Sequence, residues 1–78
     1  MKISGFVTAM ERDKSGNVLQ VALEDDQFSK YVIVIDKKNN ELLKHLNKKV
    51  LVSADIIDYD FNERPILAVK KIIPVFKN

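Results

Sequence analysis

The sequence predicts an all-β domain, with five short strands closed into a small barrel and one short helix between the third and the fourth. Three observations predict it. Five runs place apolar residues at every second position, the period of a strand with one buried face. A single stretch, Asn39 to Asn47 (NNELLKHLN), carries a helix signal instead. The chain has 78 residues, read as one domain over 1–78. That length has no room for a second core or for two packed sheets. Closing five strands on themselves buries the inward set and leaves few edges exposed.

The elements follow in order. Lys2 to Arg12 alternates, with Ile3, Gly5, Val7 and Ala9 on one face and Phe6, Thr8 and Met10 on the other. Asp13 to Asn17 is a turn, with Gly16 suited to the left-handed position that closes a short hairpin loop. Val18 to Glu24 alternates again, with Leu19, Val21 and Leu23 sharing the inner face, and Asp25 to Gln27 breaks it. Phe28 to Asp36 is the strongest strand former: Tyr31, Ile33 and Ile35 face the core, and Phe28, Lys30, Val32 and Val34 face out. Its low-charge centre, YVIVI, is flanked by Lys30, Asp36 and Lys37, which guard it against mispairing.

The helix comes next. Asn39 or Asn40 can cap it, Glu41 suits the positive end of its dipole, and Lys48 and Lys49 suit the other. Asn47 tolerates the left-handed conformation that stops it. So short a helix holds only by burying Leu42, Leu43 and Leu46, which would plug one end of the barrel. Val50 to Asp58 resumes the strand period, with Val50, Val52, Ala54 and Ile56 inward and Leu51, Ser53, Asp55 and Ile57 outward. A loop from Tyr59 to Arg64 leads through Pro65 to the last strand, Ile66 to Ile73. There Leu67, Val69 and Ile72 face in, and Pro74 ends the pairing.

Carried by Ile3–Val7 (ISGFV), the NNELLKHLN helix, Lys48–Ala54 (KKVLVSA) and Pro65–Ile72 (PILAVKKI), this order resembles the OB-fold. That family is a five-stranded Greek-key barrel with its helix between the third and fourth strands. The resemblance covers nearly the whole chain. It speaks to fold rather than activity, because the fold hosts many functions. It implies a ligand face on strands two and three, flanked by the loops between strands one and two and between strands four and five.

Composition excludes several chemistries. There is no cysteine, so disulfides, thiolate metal sites and cysteine nucleophiles are absent together. The single histidine, His45, flanks the leucine face of the helix and reads as half-exposed surface, and no serine sits in a nucleophile motif. With two glycines there is no phosphate-cradling loop, so neither catalysis nor a cofactor is expected. Asp55, Asp58, Asp60 and Glu63 lack the spacing of a calcium loop and read as a solvated acidic stretch, so no metal is expected. No run approaches the ~20 apolar residues of a membrane span, and MKISGFVTAMERD lacks the apolar centre of a signal peptide. A cytoplasmic protein is expected. The net charge is only +2, unevenly spread: residues 1–26 hold three bases against five acids, and residues 27–78 hold ten against six.

The remaining reading is a binding module. Single-stranded nucleic acid is bound by stacking aromatics and by bases that follow the phosphates. Phe28, Tyr59 and Phe61 are the stacking candidates, and Arg12, Lys14, Lys30 and Arg64 the phosphate partners, with Val32 on the outer face between them. The alternative is a protein partner or a homodimer through the same face, where Phe6, Met10, Val18, Ala22, Val32 and Val34 form an unusually apolar surface.

Overall fold

The computed structural model describes residues 1–75. Five strands, β1 (Lys2–Arg12), β2 (Val18–Glu24), β3 (Lys30–Val34), β4 (Lys49–Tyr59) and β5 (Pro65–Pro74), are joined by short turns and one 3-10 helix, Asn40–His45. The sheet closes into a ring in the order β1-β2-β3-β5-β4. All neighbours are antiparallel except β3 and β5, which meet in parallel at Val32 and Ile66. The chain is therefore all-β, and the ring is compatible with an OB-like architecture.

β1 closes the ring because it serves two partners. Lys2 to Phe6 pairs with β4, and Phe6 to Arg12 pairs with β2. Changing partner at Phe6 requires a sharp curl, and Gly5 permits it. A Cβ at Gly5 would lie 2.8 Å from the carbonyl carbon of Glu24 and closer still to its oxygen. From Phe6, the register runs through Glu24 and Lys30 to the level of Arg64 and Asp60. It arrives on β4 about ten residues away from Lys49, the partner of Phe6 on its other side. That stagger tilts the strands enough for five of them to enclose a core.

The core holds Ile3, Val7, Val21, Leu23, Ile33, Leu42, Val50, Val52, Ala54 and Leu67. Leu42 is fully buried, and Leu43 and Leu46 pack against the same cluster, as the sequence leads one to expect. The helix differs in form. It is a single 3-10 stretch, opened by the Leu42 N–H donating to the Asn39 carbonyl at 3.0 Å, and six residues are short enough for that tighter winding. Asn39 is buried, but it does not cap the helix with its side chain. Its Nδ2 donates to the Val34 carbonyl at 2.8 Å, and its Oδ1 accepts from the Asp36 N–H at 2.7 Å, tying the helix entrance to the end of β3. Asn47 takes φ 64°, and the chain then lies beside β1, with the Asn47 N–H donating to the Val7 carbonyl.

Bulges explain where the expected alternation fails. In the β1–β2 ladder the register slips at Met10 and again at Leu19. The slips turn Leu19 to solvent and pack Val18 against the core, the reverse of the expected assignment. Ala9, expected to face inward, is exposed. In the β4–β5 ladder an extra residue at Lys70 keeps both Val69 and Ile72 on the core side, so the expected inward set survives a break in period. Beyond Ala54, where β4 bonds to Met1, the strand pairs with β5 alone. Ile56 is partly exposed there instead of core, and Ile57, the extra residue of a bulge, is largely exposed.

β3 is shorter than expected. Phe28 lies in the preceding turn rather than in the strand, and Ile35 and Asp36 follow the strand's end. Tyr31 packs at the edge of the core, with its hydroxyl 3.5 Å from Asp25 Oδ2. Burial, then the Asp25 charge, push its phenol above the ordinary tyrosine value. Among the described residues no helix is long and apolar enough to cross a membrane.

Candidate functional site

Three hairpins, β1–β2, β2–β3 and β4–β5, end in the same five-residue loop, each opened by an aspartate. In the first, Asp13 Oδ1 accepts from the N–H groups of Ser15 and Asn17, both at 2.9 Å. In the second, Asp25 Oδ1 accepts from Gln27 and Ser29, both at 2.9 Å. In the third, Asp60 Oδ1 accepts from Asn62 at 2.9 Å and from Arg64 at 2.8 Å. Each loop is closed by the same pair of backbone bonds, and each places its fourth residue at positive φ. In the first and third loops these N–H groups stabilise the charged form of the aspartate. The Asn17 N–H holds Asp13 below the ordinary carboxylate value, and the Arg64 N–H does the same for Asp60. This reuse was legible in the sequence as Asp13-x-x-x-Asn17, Asp25-x-x-x-Ser29 and Asp60-x-x-x-Arg64, a signal too short to stand out without the structure.

The left-handed position differs among the three. The first loop has Gly16 there (φ 87°), the residue that takes this conformation without strain. The second has Phe28 (φ 63°) and the third Glu63 (φ 61°). Phe28 is 82% exposed, so no burial offsets the strain. Phe61, in the third loop, is fully exposed, and Tyr59 and Ile57 beside it are largely so.

Ring order sets the β2–β3 and β4–β5 hairpins side by side with their tips at one end. Counting back from Val32 and Ile66, which pair, Lys30 and Arg64 are level with each other. The structure therefore places Phe28, Lys30, Tyr59, Phe61 and Arg64 at one end of the ring. Both bases have carboxylate partners: Lys30 Nζ lies 3.8 Å from Glu24, and Arg64 Nε donates to Asp60 at 2.9 Å. Arg12 and Lys14 do not join this group. They sit at the opposite end of β2, about 23 Å away at ~3.3 Å per residue, where Arg12 donates to the Gly16 carbonyl.

Val32 is a correction. It lies outside the core cluster, opposite Ala22, as the alternation requires. Yet it is only 2% exposed, and Ala22, also expected on the exposed outer face, is buried beside it at 5%. It contributes no surface for a ligand. The exposed apolar residues of the outer face are instead Phe6, Val34 and the unforeseen Leu19.

Comparison of the chain with protein-family models, with curated proteins and with solved structures gave no match.

Proposed function

We propose that this chain is a non-catalytic module of OB-fold type, a Greek-key barrel working in the cytoplasm, that binds single-stranded nucleic acid. The observation that carries the reading is the pair of aromatic hairpin tips. One loop design serves three turns, and the two that lie side by side carry exposed Phe28 and Phe61, level with Lys30 and Arg64. The first loop, at the other end, has a glycine and no aromatic. Exposed rings offer stacking platforms worth about 1–3 kcal/mol per base, and the neighbouring cations offer phosphate contacts. A ligand running along β2 and β3 from these tips would reach Arg12 and Lys14 at the far end.

The test is an NMR titration with short oligonucleotides at low and high salt. Amide shifts should move around Phe28, Lys30 and Tyr59 to Arg64. Affinity should fall with salt at a slope of roughly −0.7 per phosphate contact. Silence of these amides at low salt would end the proposal.

A specific observation favours the second reading, a protein partner or a homodimer. The tips also carry exposed Asp26, Asp58 and Glu63, which repel phosphate, while exposed apolar residues stand both beside the tips, at Ile57, and toward the other end of β2 and β3, at Val34 and Leu19. Sedimentation over a range of concentrations tests the homodimer, which requires the mass to rise with concentration.

A further inference from the structure

β5 is paired on both sides only at its start. Past Ile66 it bonds to β4 alone, and its other edge, from Leu67 to Ile73, has no strand or loop backbone partner among the described residues. β3 ends at Val34, and the chain turns away into the helix. A cleft of about 310 Å³ opens there, between Val34, Lys38 and Asn39 on one wall and Ile66 to Val69 on the other. A second, of about 250 Å³, continues past Lys38 and Glu41 along Val69 to Ile72. Burial records the same gap. Val52 and Ala54 on β4 are sealed from solvent, whereas Ile72 and Val69, their partners in the same layer, are only partly buried. The core is open along one side of one strand.

We propose that this edge receives an extended acidic segment of a partner protein, which adds to the sheet as a strand beside β5. Unpaired N–H and C=O groups in strand register are matched by another extended polypeptide, and alternate side chains of that segment would cover Val69 and Ile72. Charge selects the occupant. The extra residue at Lys70 turns Lys70 and Lys71 to the outer face together, and both are exposed, with Lys38 across the cleft. Lys70 is held by Asp55 at 2.8 Å, but Lys71 and Lys38 have no carboxylate within ion-pair distance among the described residues. Asp36 lines only the first cleft, where its Oδ1 accepts from the N–H groups of Lys38 and Asn39; in the second, Glu41 is the one acid among Lys38, Lys70 and Lys71. A second copy pairing antiparallel through this edge would set the lysine pairs against each other, which is unfavourable. An acidic strand meets no such penalty.

The test has two stages. In the free protein, hydrogen exchange should find the amides from Leu67 to Ile73 that do not bond to β4 unprotected, among protected neighbours that do. An amide-capped heptapeptide alternating valine and glutamate, at millimolar concentration, should then protect those amides and shift the Leu67–Ile73 resonances. The same peptide N-methylated at every second residue should bind about tenfold more weakly, having lost strand pairing but not composition. A lysine-for-glutamate peptide should also bind less well, and Lys71→Glu, at an exposed position, should reverse that preference. Amides already protected in the free protein, no β5 response to the acidic peptide, equal binding of the N-methylated form, or a preference that Lys71→Glu leaves unchanged would each overturn the proposal.

Discussion

Replacing Phe28 with glycine should make this protein more stable, although it removes a large apolar side chain. Phe28 holds φ 63° in a loop whose counterpart in the first hairpin uses Gly16 at φ 87°. A left-handed non-glycine residue costs about 1–2 kcal/mol, and glycine returns about 0.5–1 kcal/mol of that through its greater freedom in the unfolded chain. The ring is 82% exposed, so little burial is lost. The balance is a stabilisation of roughly 0.5–1 kcal/mol, which in a domain of this size raises Tm by about 2–8 °C. Urea denaturation followed by circular dichroism should show a higher midpoint with an unchanged slope. If Phe28→Gly lowers the midpoint, the ring is making contacts that its exposure denies, and the reasoning is wrong. If stability rises while oligonucleotide affinity falls, stability at that tip has been given up for binding, as is common at functional positions.

Gly5→Ala should act in the opposite sense. Its Cβ would overlap the Glu24 backbone where β1 changes partner, and we expect a loss of about 2 kcal/mol or more by the same denaturation assay. Asn39→Ala should cost about 1–3 kcal/mol, because it strands the Val34 carbonyl and the Asp36 N–H at a buried site; a neutral result would mean that water replaces the amide without cost. Val32→Asp should unfold the protein, since a carboxylate at a 2% exposed position has no solvent, whereas Val34→Asp, at 48% exposure, should fold and serve as the probe of association. Circular dichroism of the two variants separates these outcomes.

The pH dependence follows from three aspartates. The Asn17 N–H lowers the pKa of Asp13, Lys70 that of Asp55, and the Arg64 N–H that of Asp60, each from the ordinary value of 3.8. Because the folded pKa lies below the unfolded one, their stabilisation is complete above about pH 3.8 and is lost as the pH falls through the lower folded values. Denaturation midpoints should hold between about pH 7 and 5 and drop only in acid, and Asp60→Asn should flatten that drop. Lys70 has a raised pKa, so its contribution is lost only as the pH climbs past 10.5 through its folded value.

Much of the fold was legible because the signals that specify it are local. Alternation located β1, β2, β4 and β5 to within a residue or so at their ends, and Leu42, Leu43 and Leu46 announced a helix that had to pack on the core. Gly16 and Asn47 marked their own left-handed positions, because turn chemistry resides in the residue that performs it. The candidate site was legible only in part. Phe28, Tyr59, Phe61, Lys30 and Arg64 were nameable as residue types, but which of them share an end depends on β3 and β5 lying side by side in parallel. No local pattern encodes a pairing between strands so far apart in the chain.

What the sequence determined by itself was the strand period, the place of the helix and the turns, since each rests on contacts within a few residues. Tertiary structure alone decided the exceptions. Bulges at Met10 and Leu19 exchanged Val18 and Leu19, and Val32 is buried although its alternation points outward. The closing of the ring also left the far edge of β5 open. Register in a closed sheet is a property of the whole circuit, fixed by the stagger that lets five strands meet, and a single slip changes what each later residue faces.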